Sequence, residues 1–186
     1  MNKIRTFISL NIDKSSIEKL KPVQSDVMDS LKNYHVKWTD SGNFHLTLRF
    51  TGGVEENIIS QLSDKLSEIK TGFNSIKFKT SGIGFFPNQK HPNVVFIDLK
   101  EAGSNSEQLV EKIDNVIISF GIKPDNKFVP HITLGRFKHE GRKKLTVCIN
   151  TVYENFEMEF DSFFLMKSIL KTTGAEYEVI KKIKLQ

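Results

Sequence analysis

The chain has 186 residues, 38% of them hydrophobic, a single cysteine, and 27 Lys and Arg against 22 Asp and Glu, a formal net charge of +5. That length suits one large domain or two small lobes around an ordinary core, and the lone Cys148 excludes an intramolecular disulfide and a cysteine-rich zinc site. The first apolar stretch is interrupted by Arg5, Thr6 and Asn11, and no later run approaches the ~20 apolar residues of a membrane span, so neither secretion nor membrane insertion is expected and a reducing, cytoplasmic setting fits. The basic balance mildly favours a polyanionic partner.

Residues 4–10 alternate as a strand. Asp13, Ser15 and Ser16 then supply helix-start chemistry, with Ser15 and Glu18 spaced as a capping box. Ile17, Leu20, Val27 and Leu31 follow at near-helical intervals, and Pro22 is expected to kink this helix or delay its start. Strands are predicted at 35–39 and 44–51, the second ending at Gly52 and Gly53. Ile58, Ile59, Leu62, Leu66 and Ile69 mark an amphipathic helix that stops near Gly72. Strands are predicted again near 75–84 and 93–99. A helix opened by Ser104 with Glu107 comes next, carried by Leu109, Ile113, Val116 and Ile117 and closed by Gly121.

A strand around His131, a poorly defined stretch from 139 to 155, and two strands near 157–171 and 176–185 complete the chain. Similar elements surround positions 45 and 131, and no Pro, Gly or Ser-rich linker separates the halves. Residues 1–186 therefore read as a single α+β domain of two pseudo-symmetric lobes, their antiparallel sheets flanking a central cleft with the helices outside.

The feature that carries chemistry occurs twice, as HLTLRF from His45 and as HITLGRF from His131. Side chains alternate along a strand, so His45 and Thr47 share one face while Leu46 and Leu48 take the other, and His131 and Thr133 repeat the pattern against Ile132 and Leu134. Each segment thus buries an aliphatic face and presents an imidazole and a hydroxyl about 7 Å apart. Either motif alone could be the polar side of a half-buried strand. Two of the five histidines with the same neighbours are poorly explained by coincidence.

Paired imidazoles suit a reaction that removes one proton while delivering another, because histidine's pKa near ~6.5 makes both charge states available near neutrality. Threonine hydroxyls can donate to the non-bridging oxygens of a phosphate. A metal site is the other use of paired histidines, yet neither motif has a carboxylate or third ligand at a recognisable spacing, so no metal and no cofactor is expected. His35, His91 and His139 lack a matching Thr and read as loop or surface residues.

With these motifs the chain resembles the two-histidine (2H) phosphoesterase superfamily and, within it, the RNA 2',3'-cyclic phosphodiesterases of bacteria and archaea, also called 2'-5' RNA ligases. The resemblance extends to IRTFISL at 4–10, Trp38, GIGFFPNQKHPNVVFIDL at 82–99, FVPHITLGRF at 128–137 and SILKTTGAEYEVIKKIKL at 168–185. One departure is Asn93, where the family has a basic residue after the proline. The resemblance implies a two-lobed fold and a metal-independent reaction that opens an RNA 2',3'-cyclic phosphate end to a 2'-phosphomonoester. It leaves open reverse joining into 2'-5' linkages. It makes His45 the proton donor to the leaving O3' and His131 the acceptor that activates water, an order the spacing itself does not distinguish.

Arg136 matches a family arginine implicated in binding the phosphate. Strict alternation sets it opposite His131 and Thr133, so the role requires a bulge or twist, for which Gly135 is suited. Arg49 has the right parity beside Thr47 and is the reserve candidate. Phe7 and Trp38 are candidates to stack on an RNA base, with core burial as the alternative. The expected partner is RNA or an oligonucleotide with a 2',3'-cyclic phosphate end, bound by a monomer away from membranes. A 2'-5' oligonucleotide or small cyclic nucleotide phosphodiesterase is the rival enzyme, and a nucleotide- or RNA-binding module without turnover the rival of a different class.

Overall fold

The computed structural model describes residues 3–124, 127–138, 145–146, 149, 153–172 and 174–186. Cys148, His139 and most of the stretch 139–155 lie outside the described residues.

In chain order the elements are β1 (Lys3–Asn11), α1 (Lys14–Ser30), β2 (Val36–Trp38), β3 (His45–Glu55), α2 (Glu56–Ser67), β4 (Ile76–Phe86), β5 (Val94–Glu101), α3 (Asn105–Ser119), β6 (His131–Phe137), β7 (Glu157–Phe160), β8 (Ser162–Leu170) and β9 (Ala175–Lys184). The nine strands among the described residues follow the order β7-β4-β5-β6-β3-β1-β8-β9, with β2 on β6, and every pairing is antiparallel. The two arms meet at one register pair, Leu46 opposite Ile132. Phe86 of β4 and Tyr177 of β9, from opposite arms, line the same cavity, so the sheet curls around it. This is the expected pair of antiparallel lobes about a cleft, joined along the central strands β3 and β6.

Aliphatic side chains on the opposite faces of these strands, among them Ile8, Leu46, Leu48, Ile97 and Ile132, form one buried core with Leu20, Val23 and Val27 of α1, Leu62 and Leu66 of α2, and Ile113 and Ile117 of α3. At ~25 cal/mol per Å² of apolar surface, this continuous burial is what pins each strand's register.

Several local details depart from the sequence reading. The cap of α1 is Asp13, whose carboxylate accepts from the Ser16 N–H at 3.0 Å, so Ser15 lies inside the helix rather than capping it. Pro22 is accommodated within α1 at an exposed position. The start of α3 is held by Glu101, whose carboxylate accepts from the Ser106 N–H at 3.2 Å, while Ser104 makes no capping bond from its side chain to the backbone. Gly52 and Gly53 do not stop β3: Gly52 adopts φ 69° where the register on β1 skips Thr51, and pairing resumes to Glu55. The strand predicted over 157–171 is two, because the chain breaks at Asp161 between β7, at one end of the sheet, and β8 in the other arm.

Candidate active site

His45 opens β3 and His131 opens β6. Extending the register from Leu46 and Ile132 sets His45 across from Thr133 and Thr47 across from His131, a local two-fold arrangement of both His-x-Thr units. All four side chains line one cavity of about 600 Å³, together with Arg5, Phe7, Arg136 and Tyr177. Among the described residues that line it there is no Asp or Glu, so its fixed charge comes from guanidinium groups.

Each motif strand carries a bulge at the same place. On β3 the partners of Ser9 and Ile8 are Thr47 and Arg49, skipping Leu48; on β6 the partners of Phe96 and Val95 are Thr133 and Gly135, skipping Leu134. A bulge adds one residue and reverses the parity of the residues beyond it. It carries Arg136 onto the face of His131 and Thr133, in the cavity, and equally carries Phe50 there from β3. Arg49, by the same reversal, is not among the residues that line this cavity. Its Nε and Nη2 donate to the Asp114 carboxylate of α3 at 2.6 and 2.9 Å, and its Nη1 donates to the Leu48 carbonyl at 3.2 Å. The expectation of Arg49 as a reserve phosphate ligand is corrected by that ion pair. On β6 the Leu134 carbonyl accepts from the Thr39 N–H and from the buried Gln24 amide of α1, both at 2.9 Å. Each bulge is thus anchored to an outer helix.

The imidazoles are held alike. Nδ1 of His45 lies 2.7 Å from the Asn43 carbonyl and Nδ1 of His131 lies 2.7 Å from the Val129 carbonyl. A carbonyl only accepts, so Nδ1 carries the proton in both rings and Nε2 remains for substrate. His45 sits between Phe7 and Tyr177, with ring centroids at 5.0 and 5.2 Å, and His131 between Phe86 and Phe96 at 5.0 and 5.2 Å.

Burial among these rings is the main cause that holds the pKa of each histidine below its ordinary value. For His45 the Asn43 carbonyl opposes that shift, and the charges of His131 and Arg136 add to it. For His131 the Val129 carbonyl opposes it, Arg136 adds to it, and Asp98 pulls the other way. Asp98 is the β5 residue paired with His131, where β1 pairs the neutral Asn11 with His45. That difference breaks the two-fold symmetry.

The structure therefore brings together His45, His131, Thr47, Thr133, Arg136 and Phe7. Phe7 forms part of the wall but is 3% exposed, so it supports His45 rather than offering a ring face to a base. Trp38 is not brought to the cavity: its ring packs across β2 onto Gly135, where a Cβ would stand 2.9 Å from Trp38 Cε3. Sequence reasoning missed Phe50, Phe86 and Tyr177. A bulge count would have found Phe50, whereas Tyr177 is 132 positions from His45 and no local pattern marks it. Among the described residues no three His, Cys, Asp or Glu side chains are grouped to hold a metal ion, and no helix is long and apolar enough to cross a membrane.

Comparison with known proteins agrees with this geometry. The profile described as LigT like Phosphoesterase matches residues 10–96 and again residues 97–177, one copy for each motif. The chain is 30% identical over 179 residues to the RNA 2',3'-cyclic phosphodiesterase of Thermotoga maritima, covering 95% of this chain and 93% of the relative. It is 31% identical over 179 residues to the protein of the same description from Archaeoglobus fulgidus, covering 96% and 98%. Among solved structures a Thermus thermophilus protein superposes with a TM-score of 0.79 at 25% identity over 98% of both chains. E. coli LigT in complex with 3'-AMP superposes at 0.76 with 19% identity, covering 100% of this chain and 99% of that one, a likeness of fold. By two profile matches spanning nearly its whole length, and by relatives aligned end to end, the chain belongs to the LigT-like phosphoesterase family.

Proposed function

We propose that this protein is a metal-independent RNA 2',3'-cyclic phosphodiesterase that opens cyclic phosphate ends to 2'-phosphomonoesters. The observation that carries the reading is the two-fold pair of His-x-Thr units facing one cavity, each imidazole with Nδ1 tied to a carbonyl and Nε2 left for substrate. The activity for which the full-length relatives are named supports it.

The chemistry requires one acid and one base, and the family resemblance says which histidine takes each role. A cyclic phosphate is a strained anion whose opening needs a proton removed from water and a proton given to O3'. His131 takes the first through Nε2, and His45 gives the second. Thr47 and Thr133 donate hydroxyl hydrogen bonds to the non-bridging oxygens, and Arg136 supplies the positive charge that offsets the phosphate. An anionic phosphate between the rings favours the imidazolium form, so substrate helps to charge the donor that burial keeps neutral. Because strands of both arms supply these groups, we take residues 1–186 to act as one two-lobed domain, a monomer working on RNA ends in the cytoplasm.

The test is incubation of the purified protein in EDTA with a short RNA ending in 2',3'-cyclic phosphate, with the 2'- and 3'-phosphate products separated. A 2'-phosphate is expected, and its formation falls by at least ~10²-fold in His45→Ala and in His131→Ala while RNA affinity is largely kept. Undiminished turnover in both variants, or a 3'-phosphate product, refutes the assignment. So does a strict requirement for a divalent ion.

A further inference from the structure

The carbonyl that holds His45 belongs to a residue with a second bond. Asn43 ends a single 3-10 turn, Ser41–Asn43, on the approach to β3. Its main-chain oxygen accepts from His45 Nδ1 at 2.7 Å, and its side-chain Nδ2 donates to the Ala175 carbonyl at 2.9 Å. A carbonyl only accepts, so the amide nitrogen is the atom that faces Ala175. Ala175 opens β9, 132 positions further along the chain, and Tyr177 of the same strand packs edge-on against the His45 ring.

Two strands, β1 and β8, stand between β3 and β9, which would set them ~14 Å apart in a flat sheet. The Asn43–Ala175 bond spans that gap because the arm curls. It joins the turn that carries His45 to the β8–β9 hairpin, whose Ser168, Leu170, Ala175 and Tyr177 line the cavity. Leu170 is 69% exposed and Ala175 is partly exposed, so the core does little to seat this end of the hairpin.

The rest of the turn is anchored separately. Asp40 accepts from the Gly42 N–H through its carboxylate and from the Asn43 N–H through its carbonyl, both at 2.8 Å, and Phe44 is buried. Those contacts fix where the turn sits. The direction of the Asn43 carbonyl depends in addition on the torsions of Asn43 itself, and the bond made by its side chain restrains them. The other motif differs, since the Val129 that holds His131 Nδ1 has a hydrocarbon side chain, 41% exposed, that makes no hydrogen bond.

We propose that Asn43 is a positioning residue: its amide latches the β8–β9 hairpin to the turn before β3, and its carbonyl thereby aims His45, so that the hairpin wall and the ring are seated together. For its effect on turnover the proposal rests on the phosphodiesterase reading. Held in this way, His45 keeps a proton on Nδ1 and directs Nε2 at the leaving O3'. The same carbonyl favours the charged ring and so opposes burial, which suits a proton donor.

The test uses Asn43→Ala and Asn43→Gln, read by nitrogen NMR of histidine-labelled protein and by kcat on adenosine 2',3'-cyclic phosphate. Spectra are taken at about pH 7.5, above the ordinary imidazole pKa of ~6.5, and the His45 signals are assigned by their loss in His45→Ala. In wild type, Nδ1 of His45 is expected to resonate as the protonated nitrogen. In Asn43→Ala a share of the ring moves its proton to Nε2, and kcat falls ~10-fold, the low end of the cost of losing an outer partner that orients a functional histidine. His131 is unchanged, and Asn43→Gln, which keeps an amide, recovers most of both losses. Should Asn43→Ala fail to fold by circular dichroism, Asn43→Leu, which keeps the volume without the donor, is read in the same way.

Four results overturn the proposal: a His45 tautomer that stays as in wild type whatever the kcat, a changed tautomer with undiminished kcat, equal tautomer changes at His45 and His131, or Asn43→Gln as impaired as Asn43→Ala. If wild type opens no cyclic phosphate, the phosphodiesterase reading fails, and the tautomer spectra alone decide whether Asn43 aims His45.

Discussion

Asp114→Ala tests the claim that the β3 bulge is held from outside. Arg49 does not line the cavity of the two histidines, its side chain is 9% exposed, and it meets the Asp114 carboxylate, 21% exposed, at 2.6 Å. Deleting one member of a buried pair costs about 3–5 kcal/mol where the other keeps no compensating bond. Asp114 is one-fifth exposed and Arg49 keeps its bond to the Leu48 carbonyl, so the lower end, about 3 kcal/mol, is expected. For a chain of this size each kcal/mol lowers Tm by roughly 2–4 °C, giving a fall of about 6–12 °C. Urea unfolding followed by circular dichroism measures it, with the slope checked to be unchanged. Arg49→Met with Asp114→Leu removes both charges and keeps apolar volume, so it should recover most of the loss. A loss below ~1 kcal/mol in Asp114→Ala, or a double variant no better than the single one, would refute the reasoning.

The lowered histidine pKa values predict the pH profile of kcat/KM. Activity falls on acidification as the acceptor gains its proton and falls on alkalinisation as the donor loses its own; both pKa values lie below the ordinary ~6.5, so the optimum should lie on the acid side of that value. An optimum above pH ~7.5 contradicts it. Between the lowered pKa values and ~6.5 the unfolded chain binds more protons than the folded one, so these two groups add stability as pH rises through that window, which urea midpoints at several pH values would show; a fall over the same window would be the contrary result. Gly135→Ala places a Cβ 2.6 Å from Val36 Cγ1 and 2.9 Å from Trp38 Cε3, which forces β2 off β6. A stability loss of about 1–3 kcal/mol and a raised KM for cyclic phosphate, through displacement of Arg136, are expected from unfolding and steady-state kinetics; unchanged values would show that β2 does not seat that arginine.

Much of the site was legible because strand geometry is local. The period-two alternation of HLTL and HITL suffices to put His45 with Thr47 and His131 with Thr133, and the leucine and isoleucine positions between them are the buried ones. The amphipathic helices α2 and α3 were likewise readable from spacing, and Gly121, at φ 72°, follows the end of α3 as expected. Helix caps were less legible, since Asp13 and Glu101 compete with serines that fit a capping pattern equally well.

Where alternation failed, a tertiary contact had intervened. Arg49 and Arg136 follow their histidines by four and five residues, and parity favours the first; one bulged residue in each strand reverses the choice. Those bulges persist because Asp114 of α3 and Gln24 of α1 satisfy polar groups around them, partners 65 and 110 positions away from the residues they bond. The same holds for Tyr177 beside His45 and for Trp38 against Gly135 rather than in the cleft. Which side chains could do the chemistry was already settled in the order of amino acids, because a residue's type and its face on a strand are set within a few bonds of the backbone. Which of them meet in one cavity, and which arginine stands there with them, depended on packing strands that are distant in the chain, because register, bulges and burial are energies of that packing.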